Sequence, residues 1–127
     1  MIQTGTLLRV LDNSGAKTVA CIKVLPGYRR RYAKLGDQII VSIKHLRSKR
    51  RAYSKVKKGE IYKALIIKTK SLKKYKGGDT IKFLENSVVL LNKQNKLVGT
   101  RVFGAVHKHF RYTKYLKFLF LALGLIS

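Results

Sequence analysis

Acidic residues are nearly missing from this chain of 127 residues: Asp12, Asp37, Glu60, Asp79 and Glu85 stand against 29 Lys and Arg. Catalysis by paired carboxylates needs two acids converging on one bond, and five scattered acids argue against it. Asp12 heads Asp12-Asn13-Ser14-Gly15 and Asp37 follows Gly36, contexts in which a carboxylate caps a turn. Ser14 has no His near it in sequence and sits in no G-x-S-x-G elbow. The single Cys excludes an internal disulfide, so no oxidising compartment is implied. Cys21 alternates with Val19 in a strand-like run and reads as core packing. His45, His107 and His109 have no second ligand at useful spacing, so no metal site is expected. They read as packing or cationic-surface residues. No catalytic residue and no cofactor is assigned.

Long apolar runs are also lacking. The terminal FLFLALGLI (118–126) would span about 14 Å as a helix, against a hydrocarbon core of about 30 Å. A tail packed on its own domain or on a partner is expected instead of a membrane span. The first residues, MIQTGTLLRVLD, have neither a charged n-region nor a long apolar h-region, so no signal peptide is expected.

What is present is positive charge, a formal +24. A folded surface so unbalanced repels itself unless a polyanion neutralises it. Nucleic acid is the leading partner and an anionic membrane surface the rival. The cations are interleaved with β-branched runs, which argues against a disordered tail. They come in blocks: Arg29, Arg30 and Arg31 in one loop, Arg47, Lys49, Arg50, Arg51, Lys55, Lys57 and Lys58 in a second, and Lys70, Lys73, Lys74 and Lys76 in a third. Tyr28, Tyr32, Tyr53 and Tyr75 are interspersed. Lys and Arg neutralise phosphates, and a Tyr ring stacks on an unpaired base or lies along a sugar edge. No recognition-helix pattern or zinc finger is visible, so recognition by shape and backbone fits better than base reading. The Gly99–Gly104 stretch, GTRVFG, lacks the Lys and Ser/Thr of a phosphate-binding loop, and its glycines read as turn residues.

The chain reads as strands first and helix last. TLLRVL (6–11), KTVACIKVL (17–25), QIIVSIK (38–44), IYKALIIKT (61–69), TIKFL (80–84) and SVVLLN (87–92) are strand-like, with turn chemistry between them. Gly77-Gly78-Asp79 suits a tight turn with positive φ. Short strands without intervening helices predict a small closed β-barrel. Several are apolar on both faces, which a barrel accommodates if loops and the C-terminal segment cover part of its exterior. Leu116, Leu119, Phe120 and Leu123 recur at helical spacing and predict a short terminal helix. A single domain results: a barrel over about residues 1–98, then a loop and helical segment over about 99–127.

The order of these blocks resembles one family, the universal large-subunit ribosomal protein number fourteen. LRVLDNSGAKTVACIKVL (8–25), GDQIIVSIK (36–44), VKKGEIYKALIIKTK (56–70), GGDTIKFLENSVVLLN (77–92) and GTRVFGAV (99–106) carry the resemblance, which runs to about Ala122. It implies a mostly β fold, a five-stranded closed barrel with a projecting β-ribbon and short C-terminal helices. It also implies a non-catalytic structural role in the large subunit. That role covers binding of large-subunit rRNA, bridges to small-subunit rRNA across the interface, and contacts with neighbouring large-subunit proteins. The rRNA-binding set then comprises the cations of the three blocks other than Lys76, with Tyr53, Arg9, Lys17, Lys23 and Lys68. By position, Thr100, Arg101 and Lys117 belong to the inter-subunit face, which in bacterial and organellar members receives a ribosome-silencing factor.

Four departures stand out. LRSKRRAYSK (46–55) replaces a shorter Pro-Arg loop, Ala105 stands for a Pro, and Lys108-His109-Phe110-Arg111 loses an acid. The terminal Ala122–Ile126 is more apolar than in the family pattern and offers extra surface to a neighbouring protein. Lys outnumbers Arg 20 to 9 and Pro occurs once, a bias toward A- and T-rich codons. Together with the lack of a presequence it points to synthesis inside an organelle, the mitochondrial matrix first, with plastid or bacterial cytoplasm as alternatives. A free RNA- or DNA-binding regulator, or an architectural protein, is the competing function.

Overall fold

The computed structural model describes residues 2–25, 31–47, 54–74, 77–78, 80–100, 102–107 and 122–126. Nine strands are formed among the described residues: β1 (Leu7–Val10), β2 (Ala16–Val24), β3 (Gln38–Leu46), β4 (Ile61–Lys68), β5 (Lys73–Lys74), β6 (Thr80–Ile81), β7 (Ser87–Leu91), β8 (Val102–His107) and β9 (Ala122–Ile126). Strands β1, β2, β3, β4 and β7 close into a barrel. Neighbours run antiparallel except at the closure, where β1 lies parallel to β7 with Arg9 opposite Ser87 and Val10 opposite Val88. β5 and β6 form a separate two-stranded ribbon, as do β8 and β9. The described residues contain no helix.

Period-two alternation sets the barrel interior. Leu8, Val10, Val19, Cys21, Ile39, Val41, Ile43, Ala64, Ile66, Val88 and Leu90 all point inward and form one cluster. Each fully buried Leu or Ile contributes about 1.5–3 kcal/mol. β-branched side chains suit the pleat, since their restricted rotamers cost little there. Ile2 closes one opening of the barrel, its N–H donating to Ala33 O at 3.0 Å and its carbonyl accepting from Ala33 N at 2.7 Å. Burial pushes the Cys21 thiol above its ordinary range, consistent with a packing role.

The double-sided apolar strands are β4 and β7. Their outward residues Leu65, Ile67, Val89 and Leu91 form a second cluster with Leu11 and Val102, and Leu97 and Phe103 pack against it. The segment from Leu97 to Phe103 is therefore the cover that the apolar outer faces require. A third cluster joins Ile81 of β6 to Leu35 and Phe83. Gly78 in the ribbon's turn has φ +84°, as the Gly-Gly-Asp run predicted.

Of the residues that predicted a terminal helix, only Leu123 is among the described residues, and it lies in a strand. Ala122–Ile126 is a strand, paired parallel to β8 with Val102 opposite Ala122 and His107 opposite Ile126. Short apolar runs do not distinguish helix from strand by periodicity, and the backbone groups along β8 offer this one a ladder. Leu116, Leu119 and Phe120 lie outside the described residues.

Candidate nucleic-acid interface

The turn Asp12-Asn13-Ser14-Gly15 joins the ends of the longest basic loop to β7 and to the Thr100 segment. Asp12 is fully buried: Oδ1 accepts from Ser14 N at 3.1 Å and from the Ser14 hydroxyl, while Oδ2 accepts from Leu90 N at 3.0 Å. Desolvation raises its pKa above the usual carboxylate range, opposed by these hydrogen bonds and by the Arg47 charge. The carboxylate thus caps the turn, as its sequence context implied, and also ties the turn to β7.

The next residues hold the ends of the longest basic loop. Gly15 O accepts from Arg47 N and Ser14 O accepts from Lys55 N, each at 2.9 Å. Gly15 has φ +102°, and a Cβ there would stand 2.3 Å from Ser54 Cβ. Only glycine permits both the backbone conformation and the close approach of Ser54 at the loop's end. The two described ends of the loop, Arg47 and Lys55, are thus held to one turn.

Asn13 completes the turn. Its Nδ2 donates to Thr100 Oγ1 at 2.7 Å and its Oδ1 accepts from Thr100 N at 2.6 Å. Gly99 makes room, since a Cβ there would lie 2.6 Å from Asn13 Oδ1. Phe103 N also donates to Leu11 O at 2.6 Å. The basic loop and the segment carrying Thr100 therefore share one anchor.

The predicted cations do not all reach solvent. Lys17 and Lys23 on β2, Arg31, Lys55, Lys57, Lys58, Lys70 and Lys74 are exposed. Arg9 is exposed but paired with Glu85 at 3.3 Å. Arg47 turns inward: Nη2 donates to Val10 O at 3.0 Å, the guanidinium lies 5.6 Å from the Phe103 ring centroid, and Nε is buried without a hydrogen-bond partner. Lys68 is half-buried with Nζ 5.7 Å from the Phe83 centroid. Lys73 donates from Nζ to Leu35 O at 2.9 Å, and desolvation lowers its pKa. Arg29, Arg30, Lys49, Arg50, Arg51, Tyr53, Arg101 and Lys117 lie outside the described residues.

The acids within the described residues are spent on internal contacts. Besides Asp12 and Glu85, Asp37 accepts from Lys34 N at 2.7 Å, and Glu60 accepts from the Tyr62 hydroxyl. Burial and the Glu60 carboxylate push the Tyr62 phenol up to about 12. The outward cations accordingly present a field that local carboxylates do little to cancel. Lys44 and Lys63 add to it from β3 and β4; the strand alternation in QIIVSIK and IYKALIIK was the signal for both.

The family model described as ribosomal protein L14p/L23e matches residues 1–126, so the chain belongs to that family of structural proteins of the large ribosomal subunit.

Proposed function

We propose that this protein binds large-subunit rRNA through the cationic surface organised by the Asp12–Gly15 turn. The observation that carries the reading is the double anchoring of the basic loop by Ser14 O and Gly15 O, beside acids that are internally engaged. Long flexible cations bind phosphates better when their backbone is already ordered, because less entropy is lost on association. Lys17, Lys23, Lys55, Lys57, Lys58, Lys70 and Lys74 act as phosphate contacts, joined by Arg29, Arg30, Arg31, Lys49, Arg50 and Arg51, with Tyr53 against a base or sugar. Arg9 is shared between Glu85 and the RNA, while Arg47, Lys68 and Lys73 act chiefly within the fold.

Thr100, Arg101 and Lys117 belong to the face toward the small subunit, where they contribute to bridges with its rRNA and to docking of a silencing factor. The location is the mitochondrial matrix, within the ribosome. Support for it is compositional: the Lys excess over Arg and the single Pro.

Sucrose-gradient sedimentation of an epitope-tagged chain tests the reading. It predicts recovery with large subunits that persists through moderate salt, because many phosphate contacts act together. Recovery only in free, low-molecular-weight fractions would overturn it, and would favour a free RNA- or DNA-binding protein.

A further inference from the structure

An open cavity of about 370 Å³, lined by Lys44, His45, Leu46 and Lys58, lies where the end of β3 meets the turn before β4. Its lining among the described residues holds two ammonium groups, one imidazole and one aliphatic side chain, and no acid. The nearest acid in sequence, Glu60, is engaged by the Tyr62 hydroxyl.

The backbone around this cavity is fixed from both sides. Gly59 N donates to Ile43 O at 2.8 Å and Ile43 N donates to Glu60 O at 3.0 Å, clamping the turn that carries Lys58 to the strand that carries Lys44. Leu46 pairs with Ala16 of β2, and the next residue's N–H is held by Gly15 O at 2.9 Å. His45 is oriented by Thr18, whose Oγ1 lies 2.7 Å from Nδ1 in a hydrogen bond. A neutral ring that accepts the threonine hydroxyl at Nδ1 carries its proton on Nε2, a donor toward a ligand.

We propose that this cavity seats one phosphodiester of the bound RNA strand, a site that rests on the rRNA-binding reading. Lys44 and Lys58 supply the charge, His45 Nε2–H supplies a directed hydrogen bond, and Leu46 lies against the adjoining ribose. The cavity sits at the foot of the basic loop, so a strand tracked by the loop's cations passes over it. Neither Lys44 nor His45 belongs to the three cation blocks of the sequence.

The test uses the full chain, a mixed-sequence single-stranded RNA oligonucleotide and, separately, inorganic phosphate. NMR follows the imidazole C–H resonances of His45. Added RNA is expected to move them to saturation. The K44Q/K58Q variant is expected to bind the oligonucleotide about tenfold more weakly and to flatten the log K against log salt slope by about 0.7, the loss of one phosphate contact on a single strand. K34Q/K82Q removes the same charge from exposed positions beside the Leu35–Ile81–Phe83 cluster and is expected to cost less. RNA binding that leaves the His45 resonances in place would overturn the site while leaving the rRNA reading intact. Equal losses in the two double variants would reduce it to bulk charge. Phosphate moving His45 while RNA does not would assign the cavity to a free anion and reject the phosphodiester. Absence of all RNA binding by the unsubstituted chain would remove both readings together.

Discussion

Asn13 and Thr100, separated by 87 positions in the chain, exchange two hydrogen bonds of 2.7 and 2.6 Å. The pairing ties the turn that anchors the basic loop to the segment that covers the outer faces of β4 and β7. Asn13→Ala is expected to cost about 1–2 kcal/mol in urea unfolding, as for two modest hydrogen bonds. In a double-mutant cycle with Thr100→Ala the two losses should be clearly non-additive. Additive losses would mean that the pairing carries no coupling.

Arg47 offers a sharper test, because its charge and its shape make different predictions. A lysine at this position would keep the charge yet lose the planar contact over Phe103 and the directed bond to Val10 O. Arg47→Lys is expected to lower stability by about 1–2 kcal/mol while changing RNA affinity little. A variant of unchanged stability that binds RNA more weakly would return Arg47 to the phosphate contacts.

Gly15→Ala should be among the most damaging single substitutions outside the core. It combines a positive φ with a Cβ placed 2.3 Å from Ser54 Cβ, so the end of the basic loop must shift. A loss of about 2 kcal/mol or more is expected by thermal unfolding, with weaker RNA binding alongside. Gly59→Ala is the control, since its φ of +88° is also positive but nothing lies within 4 Å of its Cβ. Equal effects at the two sites would show that backbone strain alone decides.

Asp12 makes stability depend on pH with an unusual sign for a carboxylate. Its folded pKa lies above the unfolded value of 3.8, so the folded state holds the proton more tightly. The stabilisation linked to that proton is complete below the unfolded pKa and is lost as pH rises through the folded one. The stability difference between the unsubstituted chain and Asp12→Asn should therefore shrink as pH is raised from about 3 toward neutrality. A difference that grows over that range would mean that hydrogen bonding outweighs desolvation at this carboxylate.

Much of the fold was legible because barrel strands announce themselves locally. Alternation placed Val19 and Cys21 in the core, and strands apolar on both faces already demanded a cover, which the structure assigns to β4 and β7. The Asp12-Asn13-Ser14-Gly15 turn was legible as a turn. Its attachments to Leu90, Thr100, Arg47 and Lys55 were not, since each depends on a partner at least 32 positions away. The candidate interface was legible as a charge excess and in blocks, but not residue by residue. Nothing local separates Arg47, folded over Phe103, from Lys57, exposed in a turn. The strand at Ala122–Ile126 was missed for the same reason, because its ladder comes from β8.

Composition and order thus settled the class of molecule: a basic, largely β chain with a packed interior and no evident catalytic constellation. These properties follow from sums over residues and from period-two patterns, which need no knowledge of distant neighbours. The closure of β1 on β7, the inward turn of Arg47, the shared anchor of the basic loop and Thr100, and the cavity at Lys44, His45 and Lys58 were decided only in three dimensions. Each depends on which backbone groups remain unpaired once the barrel has formed, and on which side chain reaches them first.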